Sequence, residues 1–568
     1  MDRHPYTLSA RAAVAFIVAL WLAVVFMRFT GPTDLMENAQ DRPVGYVMDV
    51  LRHGQWFVQH DYRGEIMSKP PLYTWVVTLL SMPQDRISKL SLYLPCAASI
   101  LAAALMIRSA GARRFGAVAG FLGALTFLAS ALPIKHVSLA RTDALFTCAV
   151  LLGALLAHRA WTRGNGWTLF WLAAAAATLT KGPLGILIGL FGLLAAFWER
   201  RSGTAAPIRG SHVLGVALFC LIVLGWAVPA FVQAGRPLID RMLGHELIGH
   251  LAGGSGHHHT FGEGLPRPTI YFLFRFMPWC VATLAGLWRV WWRPAADVDV
   301  RRFERFVFCW FVAGLALFTV SAKQRPDHLL PILPAAALLA GRELARLLAA
   351  RPTRQQWSLV TAAVVITFSA WSVYYHVVRA EKQNIRHSVG LQRLAVRIER
   401  ELKDGPPLMH VDGSPLLQAY LNTMWPPVSY EVAADLLDSQ AAAMVTVRSP
   451  QRLRDRMRDP SKLVELMRWP EAAGKPLVVV MANADPSEAR RHAATIIGSL
   501  RLELFGARLS GSHRGVLVFE ATEADARITM VNRSESAQVV RTRVRSGGMP
   551  WVSQNTSLVS GGKTTFEF

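Results

Sequence analysis

The sequence predicts a polytopic α-helical membrane protein that ends in a soluble α/β domain. Three observations carry this. The 568 residues are 52% hydrophobic and 17% charged, where a soluble domain carries about 25% charged residues. The mean hydropathy is positive. Apolar stretches of roughly 20 residues, long enough to cross a bilayer, recur from Ala12 to Val378, whereas the sequence from about Arg379 onward is polar.

Helices are expected near 11–29, 88–107, 115–133, 143–160, 166–180, 183–199, 212–232, 270–292, 303–321, 327–349 and 355–378, about eleven crossings by apolar length. The first segment lacks a small-residue cleavage site and reads as an uncleaved helix rather than a signal peptide. Pro70–Pro83 is apolar but short, and reads as re-entrant or interfacial. Basic residues test the count. Arg3, Arg11, Arg108, Arg113, Arg114, Arg159, Arg163, Arg200, Arg201, Arg209, Arg289, Arg293, Arg301, Arg302, Arg305, Arg342, Arg346, Arg351 and Arg354 all fall in loops of one side or at the adjoining helix ends. The positive-inside rule makes that side cytoplasmic. An odd number of crossings then places the C-terminal domain outside. The expected location is the inner membrane of a bacterium, multi-pass, with a cytoplasmic N-terminus and a periplasmic or extracellular C-terminal domain.

The net charge of +23 is spread over these loops and forms no patch in the soluble part, which argues against a nucleic-acid partner. The five cysteines all lie in apolar segments, which excludes a disulfide framework and shows no zinc spacing.

The outer face should be poor in Lys and Arg, so its exceptions are informative: Arg42, Lys69, Arg141, Lys181, Arg241, Arg275, Lys323 and Arg325. Headgroup snorkelling accounts for about half of such residues. The remainder are candidates for binding an anion. Acids share the same face: Asp34, Glu37, Asp41 and Asp49 in the first outer loop (31–69), and Asp143 at the start of a helix. Phosphate-binding cations beside carboxylates for acid–base work are the requirements of sugar transfer from a lipid phosphate.

The first outer loop ends in Ser68-Lys69-Pro70-Pro71-Leu72-Tyr73-Thr74-Trp75. Two prolines directly after a lysine forbid a helix through it and hold its ammonium at the membrane surface. Gly54-Gln55-Trp56 precedes this element, and Arg141-Thr142-Asp143, Leu179-Thr180-Lys181-Gly182-Pro183 and Ser321 to Pro334 follow in order. In these five elements the first 380 residues or so resemble the GT-C glycosyltransferases of the protein O-mannosyltransferase and lipid A aminoarabinose transferase type (glycosyltransferase family 39-like). The resemblance implies inverting transfer from a polyprenyl-phosphate sugar to a lipid, glycan or protein acceptor. It implies that a first-loop aspartate takes the acceptor proton and that cations hold the departing phosphate. Lys69 matches the phosphate-binding lysine and Arg42 an arginine of the acidic motif; Arg141, Lys181, Lys323 and Arg325 complete the carrier-phosphate candidates, and Asp143 is the second acid. One departure is visible. Counting back from Gly54, the family's Asp-Glu pair falls on Ala39-Gln40. Asp41 is then the first candidate base and Glu37 the second, with Asp34 reached by a shifted register. Ser68 stands where close relatives often carry Glu.

The outer loop 233–268 holds His245, Glu246, His250 and His257-His258-His259. Of these His245, Glu246, His257 and His259 are candidate ligands for a divalent ion (Mg, Mn or Zn); a flexible Gly-rich loop is the plainer reading.

Residues 381–531 are expected to form the outer α/β domain. Strands are read at Leu408–Val411, Ala443–Val447, Leu477–Met481 and Val516–Phe519, with an amphipathic helix at Pro486–Leu500. Asp412-Gly413-Ser414 reads as a turn and helix cap. No nucleotide-binding motif occurs. Residues 532–568 read as a polar tail without assignment. The rival to a glycosyltransferase is a transporter or flippase of lipid-linked sugars, which typically shows an internal repeat and mid-membrane charges. Neither is visible here.

Overall fold

The computed structural model describes residues 9–32, 35, 40–202, 207–242, 244, 267–321, 324–403, 405–412, 414–470, 478–483, 492–513, 515–546 and 551–567. It divides into two compact units, one of residues 1–31, 67–77 and 88–379, the other of residues 32–66, 78–87 and 380–568.

The first unit is helical: α1 Ala10–Thr30, α3 Leu72–Ser81 (α2, Asp41–His53, belongs to the other unit, as do the last residues of α3), α4 Lys89–Phe115, α5 Ala117–Leu128, α6 Ala131–His136, α7 Asp143–Arg163, α8 Trp167–Lys181, α9 Leu184–Leu190, α10 Leu194–Arg201, α11 Val213–Ala234, α12 Arg267–Arg275, α13 Cys280–Trp292, α14 Val298–Val320, α15 Leu333–Ala349 and α16 Thr353–Val373. Among the described residues six helices are long and apolar enough to cross a membrane: α1, α4, α7, α11, α14 and residues 354–378; α12 and α13 form a seventh span if counted together, bent by 118°. Each of the eleven expected segments contains helix, but several are broken. The segment 115–133 breaks at Ala129-Ser130 into α5 and α6, and 183–199 is interrupted by a 3-10 turn at Phe191–Leu193. The segment 327–349 opens as a 3-10 stretch, Pro326–Ile332, containing Pro331. In the last of these Pro331 removes a backbone donor from the helical ladder.

Small residues let the helices approach. A Cβ on Gly341 of α15 would lie 2.4 Å from the Ala119 carbonyl of α5, and one on Gly120 would lie 2.3 Å from the Arg108 carbonyl of α4. Backbone-to-backbone packing of this kind replaces the hydrophobic drive that lipid cannot supply.

The second unit contains α2 and the C-terminal residues, with α17 Gln383–Glu401, α18 Pro415–Tyr420 and α19 Tyr430–Leu437. A first sheet has strand order β1 (Leu408–His410), β2 (Met444–Val447), β4 (Val478–Ala482), β3 (Val464–Trp469), with β1 and β2 parallel. Met409, Val445, Val479 and Leu437 form its core. Two further four-stranded sheets follow, β12-β9-β6-β5 and β11-β10-β8-β7, built from β5 His492–Ile497, β6 Leu500–Phe505, β7 Ala507–His513, β8 Val516–Ala521, β9 Arg527–Asn532, β10 Gln538–Ser546, β11 Val552–Leu558 and β12 Lys563–Glu567. Leu502, Phe519, Ile528 and Met530 form the second core. The α/β pattern is thus present, followed by an all-β part.

Two readings change. The helix expected over Pro486–Leu500 is absent among its described residues: His492–Ile497 pairs antiparallel with β6, because Thr495, Ile496 and Ile497 are β-branched and the partner strand buries alternate residues. The residues after Asn532 are strands, with β12 paired to β9 and β10 to both β11 and β8. Their solvent-facing polar residues hid the two-residue period.

Candidate active site

The described site residues fall in the two units separately. Arg42 and Asp41 lie in the second; Lys69, Arg141, Asp143, Lys181 and Arg325 lie in the first. Asp34, Glu37, Lys323, His245, Glu246, His257 and His259 lie outside the described residues. Among the described residues no group of three or more His, Cys, Asp or Glu is placed to hold a metal ion.

In the first unit, charged residues from four chain segments converge. Asp143 is the first residue of α7 and is buried. The helix N-terminus favours a carboxylate there. The chain before it is held from α4, where Cys96 Sγ donates to the carbonyls of Leu139 (3.2 Å) and Arg141 (3.3 Å). Asp143 pairs with Lys181 Nζ through Oδ1 and with Arg141 Nε through Oδ2 at 3.1 Å. Lys181 is the last residue of α8, and Gly182 after it takes φ +99°, a left-handed conformation that stops the helix. Lys69 sits in the bend before α3, as Lys-Pro-Pro requires, within electrostatic reach of Asp143.

A second carboxylate joins the first. Asp327, in the 3-10 stretch before α15, accepts from Lys135 Nζ at 2.8 and 3.0 Å and from Arg141 Nη1 at 3.1 Å. Between the two carboxylates lies the buried ring of His136. Its Nδ1 is 2.8 Å from the Leu132 carbonyl and therefore carries a proton. Its Nε2 lies 4.0 Å from Asp143 and 3.8 Å from Asp327 and makes no hydrogen bond. Four cations thus surround two carboxylates. Such a cluster has positive charge left to offer an anion, with donors suited to phosphate.

Arg325 is exposed, two residues from Asp327. Lys135, His136 and Asp327 were not singled out by the sequence reading. The signal was present: Lys135-His136 interrupts the apolar run Ala131 to Ala140, and ionisable residues in such a run mark functional positions. Asp327 lies in Ser321 to Pro334, a segment read for its basic residues.

In the second unit, Asp41 is the first residue of α2. Its Oδ2 accepts from Arg63 Nη2 at 2.9 Å. Arg42 Nη2 lies 3.3 Å from Glu65 and its Nε 3.8 Å from Asp61. Asp61 shapes the turn that carries these partners, accepting the backbone N–H of Arg63 (2.8 Å) and of Glu65 (3.0 Å). Gln40, where the family motif has an acid, is buried. Asp49, one face further along α2, is buried and bonded to His53 (2.7 Å) and to His60.

The helical unit and the β-rich domain define the class: this is a polytopic membrane protein with the GT-C fold. Residues 68–226 match the family described as dolichyl-phosphate-mannose-protein mannosyltransferase. Over 201 residues the chain is 31% identical to the undecaprenyl phosphate-alpha-4-amino-4-deoxy-L-arabinose arabinosyl transferase 1 of Pseudomonas fluorescens, covering 34% of each protein. The match spans about a third of the length of that relative. In structure the chain is similar to ArnT from Cupriavidus metallidurans bound to undecaprenyl phosphate, with TM-score 0.59, 18% identity, and 83% of this chain and 97% of that one covered. It is also similar to the archaeal oligosaccharyltransferase AglB from Archaeoglobus fulgidus in complex with an inhibitory peptide and a dolichol-phosphate, with TM-score 0.50, 11% identity, and 78% and 70% covered. The chain thus shares the GT-C fold of these structures and is a multi-pass protein of the inner membrane.

Proposed function

We propose that this protein is a membrane glycosyltransferase that moves a sugar from a polyprenyl-phosphate carrier to a hydroxyl or phosphate of a lipid, glycan or protein acceptor at the outer face of the membrane. The supporting observation is the cationic excess of Lys135, Arg141 and Lys181, with Lys69 in electrostatic reach, around Asp143 and Asp327. The relatives' names supply the donor class, an undecaprenyl-phosphate sugar.

In this reading the acceptor oxygen attacks the sugar's anomeric carbon and its proton passes to a carboxylate. The bond from that carbon to the phosphate oxygen breaks, and its electron pair leaves with the phosphate. Lys69, Arg141 and Lys181 neutralise the leaving charge, Asp327 orients Arg141, and Asp143 is assigned as the second catalytic acid. Arg42, Lys323 and Arg325 are assigned to the same anionic substrate. Asp41 is assigned as base, ahead of Glu37 and Asp34. A divalent ion on His245, Glu246, His257 and His259 belongs to the same proposal, checked by metal analysis of the purified protein and of a variant lacking all four.

The test is sugar transfer by the purified chain in liposomes, with mass spectrometry of envelope glycolipids and glycoproteins from cells with and without the gene. Lys69→Ala should cut turnover at least tenfold while leaving folding intact, since a charge-assisted hydrogen bond to phosphate contributes roughly 1.5–3 kcal/mol. Movement of lipid-linked sugar across the bilayer without transfer would establish the transporter instead. We also propose a cytoplasmic N-terminus and an external C-terminal domain. A reporter fused after residue 390 should be active only outside the cytoplasm; a cytoplasmic signal would move the proposed site to the wrong face.

A further inference from the structure

At the other end of α14 from Asp327, about 30 Å away by helix rise, is a second charge cluster that differs from its neighbours. Arg342 pairs with Glu304 (2.8 Å) and Glu343 (3.6 Å), and Arg289 with Glu343 (3.2 Å), two guanidinium groups on two carboxylates. Glu199 of α10, fully buried, instead faces three. Arg305 Nη1 lies 2.7 Å from it, Arg301 Nε 3.6 Å and Arg302 Nε 3.9 Å. Only the first is within hydrogen-bond distance. The Nε atoms of all three arginines are buried without an acceptor. One carboxylate cannot balance three guanidinium groups, and partly buried surplus charge is costly unless an anion meets it.

The surroundings say which anion. Arg305 lies over the Trp198 ring at 4.8 Å, and Trp198 packs on Trp291 at 5.2 Å. Trp291, Trp292, Trp288 and Phe197 present large exposed apolar faces at the same end of the unit. Exposed tryptophans gather where a membrane meets water. Guanidinium forks match phosphate oxygens, and the aromatic faces match acyl chains.

We infer that Glu199, Arg301, Arg302 and Arg305, with the Trp198–Trp291 pair, form a binding site for the headgroup of an anionic phospholipid, separate from the site proposed for sugar transfer. The phosphodiester binds Arg301 and Arg302, whose Nε atoms lie 3.6 and 3.9 Å from Glu199. Arg305 stays with Glu199 and Ser202, whose Oγ accepts from it at 3.0 Å.

The experiment is native mass spectrometry of the full chain in detergent, titrated with phosphatidylglycerol against phosphatidylcholine. Wild type should retain one phosphatidylglycerol in preference. Each arginine near an anionic headgroup contributes about fivefold, so Arg301→Gln with Arg302→Gln should weaken retention roughly twenty-fivefold. Should the double variant not yield monodisperse protein, Arg302→Gln alone, at the more exposed position, should lose about fivefold. Equal retention of the two lipids by wild type, or an unchanged preference in either variant, overturns the inference. Displacement of the lipid by millimolar inorganic phosphate would make this a free-anion site and overturn the lipid reading.

Discussion

Arg141 and Asp327 stand 186 residues apart in the chain, yet Nη1 of one lies 3.1 Å from Oδ2 of the other. The contact joins the segment before α7 to the 3-10 stretch before α15, and Lys135 meets the same carboxylate. Asp327 is 6% exposed, so its removal leaves two cations in a poorly solvated place. Breaking one partner of a buried pair costs about 3–5 kcal/mol. Asp327→Ala should therefore lower the melting temperature of the purified protein by several degrees, and Asp327→Asn by less, since the amide oxygen still accepts. A melting temperature unchanged in Asp327→Ala would mean that water already neutralises the cluster.

How much of this was legible beforehand depended on range. Lys69 before two prolines, Asp143 at the head of a helix and Lys181 before a helix-stopping glycine are local patterns, and the structure places each where its neighbours dictate. The union of Asp327 with Lys135, Arg141 and His136 depends on helix packing across nearly two hundred residues, which no local pattern encodes. Length alone did not reveal that apolar segments such as 115–133 break, because Ala129-Ser130 is apolar enough to read through. The strands β10 to β12 escaped notice for the opposite reason. They are short of buried residues: Lys563–Glu567 has none fully buried, so hydropathy shows no core face.

Asp41 carries the least direct assignment, because the family pattern and this sequence disagree there. A general base must be ionised and positioned. Arg63 at 2.9 Å holds the Asp41 carboxylate in one orientation. Asp41→Asn keeps the shape and removes the base. The expected loss in turnover is at least 100-fold, about 2.7 kcal/mol of barrier, with carrier binding retained, and Glu37→Gln should be milder. Full activity in Asp41→Asn with a dead Asp34→Asn would shift the register by a helical turn or more. Normal transfer by all three would remove this loop from the chemistry.

The Asp49 cluster makes stability depend on pH. Burial pushes the Asp49 carboxyl up, but hydrogen bonds from His53 and His60 outweigh it, and the group titrates below its ordinary 3.8. His60 titrates above its ordinary 6.5, chiefly through its hydrogen bond to Asp49, with Asp61 adding to the effect and burial opposing it. The signs follow by linkage. A lowered carboxylate adds stability that is present above 3.8 and fades as pH falls through the depressed value. A raised histidine adds stability that is complete below 6.5 and fades as pH rises through the elevated value. Both contributions coexist in mildly acid solution. The melting temperature of wild type should exceed that of Asp49→Asn by most between about pH 4.5 and 6.5, and by less on either side. A difference that is constant from acid to alkaline pH would show that His60 does not titrate against Asp49.

Arg52 ties α2 to the rest of its unit. Its guanidinium donates to Asp85 Oδ2 (2.8 Å), to the Asp85 carbonyl (2.7 Å), to the Asn422 carbonyl (3.2 Å) and to the Ser512 carbonyl (3.3 Å). A planar fork with five donors can serve three chain segments at once, which an ammonium cannot. Arg52 is 5% exposed, so Arg52→Ala leaves acceptors without donors in a largely dry place. Asp85 is half exposed and water rescues part of the loss, which brings the expected cost to about 2–3 kcal/mol. Arg52→Lys should recover the charge but not the geometry, and should fall between the two. The measurement is hydrogen exchange across residues 41–53 and 507–513. Protection in both segments should fall together in Arg52→Ala, because one side chain holds both. Loss confined to residues 41–53 would mean that the β7 strand is held by its sheet alone and that Arg52 only packs against it.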